Sequence, residues 1–221
     1  MRNIKIAPGE YYHIFNRGMS KQLIFHDDTD RVRFLFLILY FQSPTTFINI
    51  GRPVKSFIKH SVFDIDTEQT VIEDRFVELT SFCLMPNHFH LIVKEVEENG
   101  ISRYMQRVLN SYTKYYNTRY KKSGHLFQGP YKAVHVKNNN QLLYLSCYIH
   151  RNPRELKEWL NKEIDYTWSS YQDCVKKNRF EGLLVSDIIN QQFKNKKEYN
   201  EFVKTSPAKL LKEELDWIEK C

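Results

Sequence analysis

The chain has 221 residues, 42% of them hydrophobic and 14% aromatic, enough to bury a core as one domain with appendages or as two small ones. Its four cysteines, Cys83, Cys147, Cys174 and Cys221, show no C-x-x-C pairing and no histidine at zinc-finger spacing, which argues against a disulfide framework or structural zinc and fits a reducing cytoplasm. The first residues lack the apolar core of a signal peptide, and the run from Phe34 to Phe41 is too short to span a bilayer, so a cytoplasmic protein with no membrane attachment is expected.

In chain order, Glu10 to Asn16 is rich in β-formers and ends at Arg17-Gly18, which predicts a first strand and a turn. Asp27, Asp28 and Thr29 offer capping oxygens to a helix in which Val32, Leu35, Phe36, Leu39 and Tyr40 recur at helical spacing, until Ser43-Pro44 stops it. Residues 43–74 read as an irregular insertion or hairpin. Arg75 to Met85 predicts a buried strand, Pro86-Asn87 a turn, and His88 to Val96 an antiparallel partner. Ile101, Met105, Val108, Tyr112 and Tyr115 mark a long amphipathic helix over Ser102 to Lys122. Tyr131 to Lys137 is a last strand, and Asn138 to Asn140 cap a helix from Gln141 to about Arg151, before Pro153.

The order βαββαβ plus a helix predicts an α+β, ferredoxin-like core with an antiparallel sheet and helices on one face. Residues 1–154 are expected to form this domain and 155–221 a helical C-terminal extension, in which Leu210, Leu211, Leu215, Trp217 and Ile218 repeat at helical spacing.

The net charge is +7, and the excess is local. No Asp or Glu occurs between Asn99 and Arg154, a stretch that holds ten Lys or Arg residues interleaved with tyrosines 104, 112, 115, 116, 120, 131, 144 and 148. Such a surface is expected to neutralise phosphates and stack on bases, with Arg103, Arg107, Lys114, Arg119 and Lys132 as phosphate contacts. Arg17, with His13 and Asn16, is a further phosphate candidate at the end of the first strand, although a turn explains Asn-Arg-Gly equally well.

His88 and His90, two apart on a strand, face the same side and can offer two imidazoles to one ion, while Phe89 points to the core. Alone, such a pair is more often a cross-strand polar pair or a surface feature. On the last helix, Gln141, Tyr144, Tyr148 and Asn152 form one stripe. Laid across the histidine face, that stripe brings a tyrosine hydroxyl and an amide oxygen towards the same ion, a donor set with open positions that suits Mg²⁺ or Mn²⁺ and a phosphate.

Five pieces carry a resemblance to a known family: Tyr12-His13-Ile14-Phe15-Asn16-Arg17-Gly18, Met85-Pro86-Asn87-His88-Phe89-His90-Leu91, Ser123-Gly124-His125-Leu126-Phe127-Gln128-Gly129, Tyr148-Ile149-His150-Arg151-Asn152-Pro153 and Trp168-Ser169-Ser170-Tyr171. In this order they resemble the single-tyrosine HUH transposases of the insertion-sequence 200/605 type, specifically those associated with repetitive extragenic palindromes. The resemblance implies a transposase that cuts and rejoins hairpin-bearing single-stranded DNA. It implies Tyr148 as the nucleophile that forms a 5′-phosphotyrosine link, and His88, His90 and Asn152 as ligands of the divalent ion. Two departures stand out: residues 45–74 are longer than usual for the family, and Arg154-Glu155-Leu156 replaces a small, glycine-containing stretch after Asn-Pro.

Other readings remain beside this one. Tyr144 is the candidate second tyrosine of a two-tyrosine rolling-circle initiator, and Tyr116 a weaker one. A hairpin DNA- or RNA-binding regulator without catalysis would keep the fold and the basic surface. His150 points off the Tyr148 stripe, towards supporting the ligands from behind or a structural role rather than ligation. A homodimer that swaps its tyrosine helix would decide whose Tyr148 meets whose histidines.

Overall fold

In a computed structural model, residues 5–46, 50–60 and 68–207 are described. Cys221 and the leucine and tryptophan repeat from Leu210 to Ile218 lie outside them. Four strands, β1 (Tyr11–Arg17), β2 (Val77–Met85), β3 (His88–Glu95) and β4 (Lys132–His135), form one sheet in the order β2-β3-β1-β4, every neighbouring pair antiparallel. Between them run α1 (Asp28–Tyr40), capped by the Asp27 side chain on the backbone N–H of Asp30, and α4 (Gly100–Tyr120). The expected ferredoxin-like core is borne out.

Alternation assigns the two faces of the sheet. Tyr12 and Ile14 of β1 and Phe89, Leu91 and Val93 of β3 enter one core with Phe34, Leu35 and Tyr112 of the two helices. On β2 the register shifts between Leu79 and Ser81, a bulge at Thr80. This one-residue change of parity keeps Val77, Leu79, Phe82 and Leu84 in that core and turns Ser81, Cys83 and Met85 to the opposite face.

The opposite face is covered by the helix that follows the last strand, α5 (Asn139–Arg151), whose Asn138 cap accepts from the backbone N–H of Gln141. Leu142, Leu145 and Ile149 pack there on Cys83, Met85 and Ile92. Helices therefore lie on both faces, α1 and α4 on one and α5 on the other. Residues 155–207 hold short 3-10 turns and the helices α6 (Tyr171–Val175), α7 (Asp187–Asn190) and α8 (Lys196–Thr205). Tyr171, Cys174, Ile189, Tyr199 and Val203 build a second small core on Cys147 of α5. Residues 168–170 run along the edge of β2, where the Leu84 N–H donates to the Trp168 carbonyl and the Ser170 N–H to that of Phe82. The exposed sheet edge is thereby paired.

The segment read as an irregular insertion contains two helices, α2 (Gly51–His60) and α3 (Glu68–Glu73). Val54 and Phe57, three apart, place one apolar edge of α2 against α1, a period obscured in the sequence by Gly51 and Pro53. No helix among the described residues is long and apolar enough to cross a membrane.

Candidate active site

The α5-facing side of β1 and β3 carries His13, Phe15 and Arg17 beside His88, His90 and Ile92, because Phe15 pairs with His90 and His13 with Ile92. His88 and His90 lie with ring centroids 5.1 Å apart, and the Tyr148 ring of α5 stands edge-on to His90 at 5.5 Å. Asn152, one turn further on, puts its Oδ1 3.3 Å from His88 Nε2. The sequence-predicted tyrosine, histidines and asparagine thus come together, within one chain. A cavity of about 90 Å³ adjoins the two histidines, lined by Phe15, Asn16, Arg17, His88, Phe89, His90, Gln128 and Lys132, with room for about three waters.

Gly18 follows β1. Its N–H donates to the Asn87 carbonyl at 2.9 Å, and a Cβ there would stand 2.2 Å from the Gln22 carbonyl oxygen, so the tight turn from Gly18 to Gln22 needs glycine. Asn16 anchors the facing turn by donating to the Gly129 carbonyl at 3.1 Å.

Hydrogen bonds fix the state of His88. Asn87 Nδ2 donates to the Lys21 carbonyl at 3.2 Å, leaving its Oδ1 2.6 Å from His88 Nδ1. An amide oxygen only accepts, so Nδ1 carries the proton and Nε2 a lone pair. Asn152 Nδ2 donates to the Tyr148 carbonyl at 3.2 Å, which aims Oδ1 at that lone pair. Two acceptors facing each other at this distance are a repulsive pair unless a cation joins them, and neighbouring ligands of one small octahedral ion sit roughly 3 Å apart. Burial pushes His88 down to about 4, with Arg17 adding to the fall and the Asn152 contact opposing it. Burial likewise holds His90 well below its ordinary value, helped by His13, His88 and Arg17. Both rings are neutral at physiological pH, the form that binds metal.

Among the described residues no group of three or more His, Cys, Asp or Glu is placed to hold a metal ion, and the oxygen that stands beside the histidine pair is Oδ1 of Asn152. The residues fit a divalent ion of the Mg²⁺ or Mn²⁺ kind with positions left open.

Other candidates are placed elsewhere. Tyr144 lies against Phe202 of α8, ring centroids 5.5 Å apart. Tyr116 is a core residue whose hydroxyl meets His26 Nε2 and the Leu23 carbonyl. His150 is wholly buried among the Ser81 and Ser170 hydroxyls and Tyr199, a structural role as expected.

Much of the basic stretch is engaged within the fold. Arg103 pairs with Glu97 at 2.7 Å, Arg107 binds the Ser43 and Thr45 carbonyls, and Arg119 binds Asp27 at 2.5 Å and Asp30 at 2.6 Å. Lys132 and Arg17 line the histidine cavity, and Lys114 a neighbouring groove with Asn110, Asn117 and His125. Tyr104, Tyr112, Tyr116 and Tyr131 are buried in the core and cannot stack on bases; helical spacing turns the first three inward. His13 is also wholly buried and cannot meet a phosphate; its Nε2 lies 2.9 Å from His90 Nδ1. The sequence carries no mark of that partnership, which depends on the pairing of β1 with β3.

Residues 60–152 match the family model described as "Transposase IS200 like". No curated protein matches. Among solved structures, that of a REP-associated tyrosine transposase bound to a REP hairpin is similar, with 15% identity, a TM-score of 0.50, and coverage of 85% of this chain and 92% of the other. At that identity the likeness shows the fold. The matched segment includes His88, His90, Tyr148 and Asn152 and, but for Pro153, three of the five sequence pieces, and over it the resemblance to the IS200-like transposases is borne out.

Proposed function

We propose that this chain, whose residues 60–152 match the IS200-like transposases, cuts and rejoins single-stranded DNA that folds into hairpins. The observation that carries this reading is the convergence of Tyr148, Asn152, His88 and His90 on one face of one chain. The hairpin substrate is proposed from the neighbouring fold, which is described bound to a REP hairpin.

In the forward step the Tyr148 hydroxyl oxygen attacks the scissile phosphorus in line and loses its proton. The bond from phosphorus to the 3′ oxygen breaks, that oxygen takes up a proton, and the 5′ phosphate remains on the tyrosine. Attack of a 3′-hydroxyl on the phosphotyrosine reverses the exchange, so strands rejoin without an external energy source. His88, His90 and Asn152 would hold a divalent ion, which when bound polarises the phosphodiester and lessens the charge opposing attack. Arg17 and Lys132 on the cavity wall set the phosphate in place, and α5, tied to β2 through His150, fixes the approach of Tyr148. The packing of α5 on the sheet of its own chain supports a tyrosine that serves the histidines of that same chain.

Incubating the protein with hairpin-bearing single-stranded DNA and Mg²⁺ or Mn²⁺ tests this. A denaturation-resistant protein–DNA adduct that disappears with EDTA is expected. Tight hairpin binding with no adduct at any metal concentration would leave a binding regulator instead.

A further inference from the structure

His90 can give a lone pair to an ion from Nε2 only if its proton sits on Nδ1. The neighbour of that Nδ1 is the Nε2 of His13, 2.9 Å away and fully inside the protein. The two rings are diagonal neighbours on one face of the sheet, on β1 and β3, and lie stacked with centroids 5.0 Å apart and planes 16° apart. Phe15 packs on both, 4.6 Å from His13 and 5.9 Å from His90. A half-turn of the His90 ring would put a carbon where Nε2 now stands, and this packing leaves the choice of ring orientation to the hydrogen bond.

We infer that His13 is a positioning residue for the metal centre: by accepting the His90 Nδ1–H it selects the tautomer and the ring orientation that present Nε2 to a divalent ion. The inference rests on the metal reading of His88, His90 and Asn152. It gives His13 a task that neither phosphate contact nor filling of the core describes. Outer partners of this kind commonly carry about 10- to 100-fold of metal affinity.

The test uses the full chain, Mn²⁺ as probe, and two variants. His13→Leu removes the acceptor, and His13→Gln offers an amide oxygen at a similar reach. Free Mn²⁺ is followed by electron paramagnetic resonance without DNA, and the His90 tautomer by ¹⁵N NMR of the metal-free protein. His13→Leu should bind Mn²⁺ about 10- to 100-fold more weakly and mix the His90 tautomers, with His13→Gln recovering most of the affinity and the Nδ1–H form. Wild-type affinity in a folded His13→Leu, or a His13→Gln as weak as His13→Leu, would overturn the inference. If His13→Leu does not fold, His13→Gln decides alone: loss of the Nδ1–H form at unchanged Mn²⁺ affinity overturns it. A wild-type chain that binds no Mn²⁺ overturns it together with the metal reading, whereas a chain that binds Mn²⁺ as described but forms no DNA adduct refutes strand transfer only.

Discussion

Replacing Arg119 by alanine separates folding from DNA binding in the basic stretch. Asp30 is wholly buried, and its carboxylate receives the Tyr115 and Tyr120 hydroxyls, the backbone N–H of His26 and the Arg119 guanidinium. Arg119 also grips Asp27, the capping residue of α1. Removing one partner of a buried ion pair costs about 3–5 kcal/mol, because the remaining charge is left uncompensated. Here the arginine side chain is 30% exposed and two tyrosine hydroxyls stay on the carboxylate, so about 2–3 kcal/mol is expected. Against a total stability of about 5–15 kcal/mol the variant stays folded. Urea unfolding should show the lower midpoint, while hairpin affinity measured well below that midpoint stays close to wild type. An unchanged midpoint with a tenfold loss of hairpin binding, roughly 1.4 kcal/mol, would refute the assignment and return Arg119 to the phosphate surface.

Lys132→Ala should behave in the opposite way, keeping stability and reducing the salt slope of hairpin binding by roughly one, since it would lose one phosphate contact; filter binding across a salt series reads this. Asn152→Leu should weaken Mn²⁺ binding and Asn152→Asp, with a charged oxygen, should retain or strengthen it; equal affinity in all three chains would remove Asn152 from the ligand set. Burial lowers His13 and His150 to about 3 and His88 to about 4, so these rings stay neutral in the fold while the unfolded chain takes up protons near pH 6.5. Stability should therefore be full above about pH 6.5 and fall as pH drops towards 4, on the order of 1.4 kcal/mol per unit for each such histidine. Urea midpoints at pH 7, 6 and 5 check this, and a flat profile contradicts it.

Much of the core was legible because its periods are clean. β1, β3 and β4 alternate, α1 and α5 begin on side-chain caps at Asp27 and Asn138, and each falls within a few residues of the expected limits. The meeting of Tyr148, Asn152, His88 and His90 was also legible, since one stripe on a helix and one face of a strand suffice to pose it. What stayed hidden depends on contacts distant in sequence. Arg119 lies in a stretch without acids, yet folds onto Asp27 and Asp30 at the start of α1, far earlier in the chain, while Arg103 reaches Glu97 just before the stretch. The tyrosines between them share the helical period of the core, and composition alone could not say which face they take. The bulge at Thr80 inverts half of β2, and nothing in its local sequence marks it. For His13, only the pairing of β1 with β3 reveals His90 as its partner.

The most direct test uses a hairpin-bearing single strand labelled at one end or the other. If the Tyr148 oxygen takes the 5′ phosphate, the 3′-labelled strand becomes covalently attached to protein, and the 5′-labelled strand is released with a free 3′-hydroxyl. Tyr148→Phe should abolish the adduct, and Tyr144→Phe, whose ring rests on Phe202, should leave it intact. An undiminished adduct in Tyr148→Phe, or attachment of the 5′-labelled strand, would contradict the account.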